Sequence, residues 1–284
     1  MLYREKHPDG ENKIEYRIFD SMGEYVDFAA SVPQKRVGEH DCMQCPSFTG
    51  RSFDTWEAVY AATREAWDEG IAILDRMLHD LEGADLPKPT SRKRKSQFRE
   101  DDGDELDYDR LRTGQAFWRA TRRTNTKGPA TITVLVDVCA NANVNHQNIL
   151  WRGAAAIALT KILEEAGYRV ELWSYHKTKD LWSNETIDSL MSVRLKAPSD
   201  VLDVSTLISA VSGWCFRTVG FRNQCCGKHS IASNLGHHAV PSSDDLDEIT
   251  PDRNRHLIAD AFSYSDAVAK VRQVLNTLSQ GASK

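Results

Sequence analysis

The spacing of apolar residues changes period along the chain. From Ser52 onward Val59, Ala62, Ala66, Ile73, Met77, Leu78 and Leu81 recur at helical intervals, which predicts an amphipathic helix or helix pair. Asp54 stands three residues before Glu57, the spacing of a capping box, and Gly70 is expected to break or bend the stretch. At Thr131-Ile132-Thr133-Val134-Leu135-Val136 the pattern becomes a continuous, mostly β-branched run, as a strand buried on both faces requires. A polar loop, Asp137 to Gln147, leads into a helix from Ile149 to Ala166 rich in small residues. Gly167 stands at its C′ position, and Tyr168 to Tyr175 reads as the next strand. Strand, helix and strand at this spacing imply a parallel pair with a right-handed crossover. Further on, Ser205 to Trp214 reads as a helix, 222 to 250 as loop and His256 to Ala259 as a short strand. Ser265 to Leu278 reads as a closing helix with Val268, Val271, Val274, Leu275 and Leu278 inward.

Residues before about 50 mix short apolar runs with Gly, Pro and charge and read as irregular or short-stranded. Gly83, Pro87 and Pro89 end the first helical region. Arg92-Lys93-Arg94-Lys95 follows, then the acids Glu100, Asp101, Asp102, Asp104 and Glu105. Three segments result: an irregular and helical 1–82, a charged linker with a short helix at 83–128, and an α/β domain at 129–284. The fold class expected is α/β, a parallel-rich three-layer sheet with an N-terminal helical segment.

The net charge of −5 and pI near 6.0 argue against a surface built chiefly to neutralise phosphates. No stretch approaches the roughly 20 apolar residues of a membrane span, and the polar start Met1 to His7 lacks the apolar core of a signal peptide. An unexported cytoplasmic protein with no membrane partner is the expectation, and its six cysteines should be thiols or metal ligands.

In a doubly wound sheet ligands gather at the carboxyl ends of the strands. That edge here opens with Asp137-Val138-Cys139-Ala140-Asn141. The run resembles the Asp-x-Ser-x-Ser motif that follows the first strand of von Willebrand factor A-type domains, where a helix, a glycine and a strand come next in the same order. Related domains of cobalt-chelatase subunits share an Ala-rich helix leading to an aliphatic-Glu-aliphatic strand, here Val170-Glu171-Leu172. The resemblance implies a Mg²⁺ site completed by a Thr at the start of a later helix and an Asp after a later strand. Asp137, Asn141, Thr206 and Asp260 stand at the matching positions, while Cys139 and Asn141 replace both hydroxyls. A thiol suits Mg²⁺ poorly, so a scaffold without metal is favoured over a weakened Mg²⁺ site. A second resemblance runs through Ser52 to Gly70, Arg152 to Ala155 and Tyr168 to Trp173. It is to uncharacterised bacteriophage and prophage proteins, implying an infected or lysogenic bacterial cell, or a virion, and no chemistry.

Cys42-Met43-Gln44-Cys45 and Cys226-Gly227-Lys228-His229 are C-x-x-C and C-x-x-H pairs, so Cys42, Cys45, Cys226 and His229 could together hold a structural zinc, with His40, His237 and His238 as further donors. One such pair alone is a weak signal. No Gly-x-Ser-x-Gly elbow or P-loop occurs. Glu164 and Glu165, adjacent near a helix end, are expected to face water. Arg119, Arg122, Arg123 and Lys127 follow Phe117-Trp118, and the simpler expectation is a helix with its aromatics inward. The sequence thus points first to a non-enzymatic interaction or assembly protein presenting Asp137, Asn141, Thr206 and Asp260 to a protein partner. The alternative is a zinc-stapled nucleic-acid-binding module using the Arg92–Lys95 and Arg119–Lys127 stretches.

Overall fold

The structure, a computed structural model, describes residues 1–6, 13–31, 42–83, 96–100, 105–121, 131–179, 187–224, 237–251 and 254–281. The chain divides into two compact units, Met1–Pro87 with Thr131–Lys284, and Lys88–Ala130. Before the smaller unit come β1 (Leu2–Lys6), β2 (Lys13–Phe19), α1 (Met22–Ser31), a 3₁₀ turn at Cys42–Gln44, α2 (Pro46–Thr49), α3 (Trp56–Ala62) and α4 (Asp68–Asp80). The smaller unit holds β3 (Ser96–Arg99), β4 (Glu105–Leu106), α5 (Tyr108–Arg112) and β5 (Trp118–Thr121). Then follow β6 (Thr131–Asp137), α6 (His146–Glu165), β7 (Arg169–Thr178), β8 (Ile187–Lys196) and α7 (Val204–Ala210). α8 (Gly213–Cys215), a π-helical turn (Phe216–Gly220) and α9 (Phe221–Gln224) run on without a break, and α10 (Ser243–Ile249), β9 (Arg255–Ile258) and α11 (Tyr264–Gly281) complete the chain.

The larger unit is α/β. Its six-stranded sheet has the order β1-β2-β8-β7-β6-β9 and is mixed but mostly parallel: β2 with β8, β6 with β7 and β6 with β9 are parallel, whereas β1 with β2 and β7 with β8 are antiparallel. β6, read from its β-branched run, is hydrogen-bonded on both sides and buried from Ile132 to Asp137. Ile132, Val134, Val136, Val170 and Leu172 share one face and pack on α6, with α4 and α11 joining the same core. The opposite face carries α10, whose Leu246 and Ile249 meet Tyr16, Leu135 and Trp173.

α6 can lie close to its neighbours because of its small residues. A Cβ built on Gly153 would fall 2.3 Å from Val211 Cγ2 and 2.7 Å from the Val211 carbonyl oxygen, so only glycine fits. Gly167 ends the helix with φ +95°, its N–H donating to Glu164 O, as expected at that position.

Several local expectations change. Thr55, not Asp54, caps α3 by accepting from the Ala58 N–H, since the chain turns helical one residue later than the Asp54–Glu57 spacing suggested. The helix pair is divided at Thr63–Trp67, and Gly70 sits inside α4, where a Cβ would strike Ile208 and Trp67. Residues 1–82 supply β1 and β2 to the same sheet as β6. β8 escaped the sequence reading because Asp188, Ser189 and Ser192 interrupt its apolar pattern, although all three are buried. Glu164 does not face water alone: it pairs with the buried Lys196 at 2.5 Å. Trp118 and Arg119 lie on a strand, β5, and not on a helix.

Candidate functional site

Asp137 ends β6 and is only 1% exposed. Its side chain is fixed from three directions. Oδ1 accepts the Cys139 N–H at 2.8 Å, Oδ2 accepts from His238 Nε2 at 2.7 Å, and Arg152 Nη1 lies 3.6 Å from Oδ2. Arg152 projects from α6 and is 2% exposed, and its Nη2 donates to the Cys139 carbonyl at 2.8 Å. A carboxylate buried this deeply needs a counter-charge, and the guanidinium supplies it.

The loop after β6 is held by a second buried arginine. Arg217, in the π-helical turn, donates to the carbonyls of Asn141 and Val144 through Nη2 and to Phe48 O through Nη1, with its guanidinium 4.1 Å from the Phe48 ring centroid. Asn141 Oδ1 in turn accepts the His238 backbone N–H at 2.9 Å. The segment carrying His238 adds a short antiparallel bridge to Thr178, and the Ala239 and Lys179 N–H groups donate to the Lys177 and His237 carbonyls respectively. His238 is therefore positioned by backbone as well as by Asp137. Its pKa is raised, first by the hydrogen bond to Asp137 and against the effect of burial.

Asp260 follows β9 in the left-handed region, φ 55°, and is exposed. Its charge reaches both His238 and Tyr175, raising the pKa of each. Beside it on the loop Phe262 is 55% exposed, and two residues after His238 Val240 is 72% exposed. Cys139 is fully buried. Burial first, then the Asp137 charge, push its thiol well above the usual range, so it is not an activated nucleophile.

Of the residues singled out from the sequence, Asp137, Asn141 and Asp260 come together at the carboxyl ends of β6 and β9. Thr206 does not join them through any interaction among the described residues. It lies in the first turn of α7, donates to Asp203 Oδ2 at 3.0 Å, and lines a separate cavity of about 190 Å³ with Met22, Val26, Arg64 and Leu195. Cys45 is exposed, its Sγ 3.4 Å from Ser47 Oγ. The Cys42 side chain, Cys226 and His229 lie outside the described residues, as does His40. Among the described residues no group of three or more His, Cys, Asp or Glu is arranged to hold a metal ion.

Arg152 and Arg217 were missed as site residues. Arg152 did carry a signal, being the one charged residue in the run Gln147 to Thr160 of an otherwise apolar and small-residue helix. A lone charge there calls for a buried partner. Arg217 gave none.

The architecture and site define an α/β protein whose mixed, mostly parallel sheet presents a charge-balanced carboxylate at the end of its β6 strand. No helix among the described residues is long and apolar enough to cross a membrane. The chain belongs to the family described as domain of unknown function DUF7192, whose sequence model matches residues 6–282. No curated protein matches it, and no solved structure does.

Proposed function

We infer that the larger unit is a von Willebrand A-like scaffold whose Asp137 edge docks a protein partner without a bound Mg²⁺. What supports the family reading is order: Asp137 at the end of β6, then α6, Gly167 and the parallel β7. The metal fits poorly. Both Asp137 oxygens are engaged, a guanidinium lies 3.6 Å from one of them, Cys139 is an unsuitable thiol, and Thr206 is hydrogen-bonded to Asp203 elsewhere. Arg152 supplies the positive charge that a cation would bring.

The observation that carries the docking reading is the pairing of Phe262 and Val240, both well exposed, with the polar centre His238 and Asp260 on the same loops. Exposed aromatic and apolar side chains beside fixed polar groups are what interface anchors consist of. The test is photo-crosslinking from position 262 in native cells, with Phe262→Ser and Asp260→Lys as controls. A single crosslinked protein, lost in the Asp260→Lys background and absent from pull-downs with Phe262→Ser, is expected. Retention of the same partner by both variants would overturn the reading, as would a chain that crosslinks to nothing. The cell in which this happens is expected to be bacterial, carrying phage or prophage, on the strength of the second sequence resemblance.

A further inference from the structure

The sheet carries a buried polar layer on its α9 side. In the register of β2, β8 and β7, Glu15 stands opposite Ser189 and Ser189 opposite Thr178. Arg17, Met191 and His176 form the next row on the same face. Such polar rows usually meet solvent, yet none of these residues is more than 2% exposed. α9 closes over them. Arg17 Nη1 donates to the Asn223 carbonyl at 2.5 Å, and Gln224 Nε2 donates to Thr178 Oγ1 at 3.4 Å. From Glu15 through Arg17, α9, Thr178 and Ser189 back to Glu15, the run of contacts and register pairs closes on itself.

Charge inside this ring is balanced. Arg17 Nε and Nη2 both donate to Glu15 Oε1, at 3.2 and 2.6 Å. His176 stays neutral, because burial first and the Arg17 charge second push its pKa down to about 3. Hydrogen bonding is not balanced. Glu15 Oε2, Ser189 Oγ, His176 Nε2 and Gln224 Oε1 are buried and have no hydrogen-bond partner among the described residues. The four atoms come from four different elements, β2, β8, β7 and α9, all members of the ring. Buried polar atoms are paired almost without exception in native proteins, so a cluster of unpaired ones calls for a partner from outside the chain.

We propose that this layer is an internal hydration site, in which ordered water is held by Glu15, Gln224, Ser189 and His176 between β2, β7, β8 and α9. The donor and acceptor inventory selects the occupant. Glu15 Oε2 and Gln224 Oε1 only accept, so the occupant must supply hydrogens to both. Ser189 Oγ can donate or accept, and the neutral imidazole nitrogen does one or the other according to tautomer. Water, with two hydrogens and two lone pairs, meets all of these demands, and buried water characteristically bridges such groups. A metal cation would add a positive charge beside Arg17, whose own charge Glu15 already balances. An anion brings no hydrogen to the two acceptors. An apolar filler would leave every one of these atoms unpaired.

The experiment is oxygen-17 magnetic relaxation dispersion of water in a solution of the full chain, which counts water molecules held for longer than the protein takes to tumble. Ser189→Val sets methyl groups where the hydroxyl stands and should lower the count by at least one water relative to wild type. Gln224→Met removes an acceptor while keeping the bulk, and should lower it likewise. Should Ser189→Val fail to fold, the methionine variant still decides. A crystal structure of the wild-type chain should show a solvent peak within about 3.2 Å of both Glu15 Oε2 and Gln224 Oε1. An unchanged count in either folded variant would overturn the proposal. So would a crystal structure showing no solvent peak at this place, or a metal ion or a larger molecule there instead of water.

Discussion

His238 Nε2 lies 2.7 Å from Asp137 Oδ2, a contact that spans 101 positions of sequence and ties the segment around residue 238 to the end of β6. Its Nε2–H donates to the carboxylate, Asp260 adds negative charge, and Arg152 opposes the protonated ring, with the first influence dominant. A histidine whose folded pKa is raised stabilises the fold fully below its unfolded value, about 6.5, and loses that contribution as pH rises through the higher folded value. His238→Gln should therefore be most destabilised relative to wild type below pH ~6.5, with the gap closing at alkaline pH. Urea melts across pH, with an NMR titration of the His238 ring, check both sign and window; a gap that widens with pH would contradict it.

His176 behaves in the opposite sense. It is fully buried beside Arg17, with its ring centroid 5.3 Å from that of Phe216, and burial first, then the Arg17 charge, push its pKa down to about 3. In the folded chain it stays neutral while the unfolded chain protonates below pH ~6.5, so the stability it allows is lost progressively between there and pH 3, at up to about 1.4 kcal/mol per pH unit. His176→Gln should lose less stability than wild type between pH 7 and pH 5. Parallel acid-dependence in the two proteins would show that His176 is not the acid-sensitive group.

The Asp137–Arg152 pair should be strongly coupled. Asp137→Asn leaves a guanidinium buried at 2% exposure with one carbonyl partner, and breaking a pair of this kind costs about 3–5 kcal/mol. Arg152→Met should cost less, because Asp137 keeps His238 and the Cys139 N–H. The double variant should fall short of the sum by on the order of 1–3 kcal/mol in urea unfolding. Millimolar MgCl₂ should leave the wild-type melting temperature unchanged, whereas a cation bound to the folded state would raise it.

On the far side of the sheet Asp245 is held by Tyr16 at 2.7 Å, by Lys177 at 2.8 Å and by the Ser242 N–H at 2.7 Å, closing a capping box at the start of α10. Burial pushes its carboxyl up, but these donors outweigh it and the net shift is downward. Tyr16→Phe should cost about 1 kcal/mol, one hydrogen bond. Asp245→Asn should cost more, because Lys177 loses its charged partner. The difference between the two should shrink as pH falls through the lowered carboxyl pKa, readable in acid-range thermal melts.

What the sequence disclosed and what it hid follow from how each element is specified. β6, α6 and Gly167 were legible because local pattern alone dictates them: a β-branched run, small residues at packing positions, a glycine where φ turns positive. β8 was hidden because its serines and Asp188 look solvent-facing, yet they are buried in the middle of the sheet, a tertiary effect with no local trace. The same holds for the site. Asp137 could be found from its place at the end of a strand, whereas His238, read from the sequence only as a further zinc donor, reaches it across 101 positions by contacts with no local trace, and Thr206 was assigned by analogy of position alone.

Gly153 offers the last test, of how tightly α6 is set against the segment after α7. A methyl group there would fall 2.3 Å from Val211 Cγ2 and 2.7 Å from a backbone oxygen, so α6 or residue 211 must move. Gly153→Ala removes the helix-propensity penalty of glycine, a gain of up to about 1 kcal/mol, yet overpacking in a closed core costs about 1–3 kcal/mol. The second effect should win, giving a net loss in chemical denaturation. Because the nearest atom belongs to a side chain, Val211→Ala in the same protein should recover part of that loss, while the backbone oxygen keeps the recovery incomplete. Full recovery would mean the side chain alone sets the spacing, and a stabilised Gly153→Ala would mean that the two segments are not in contact at this point.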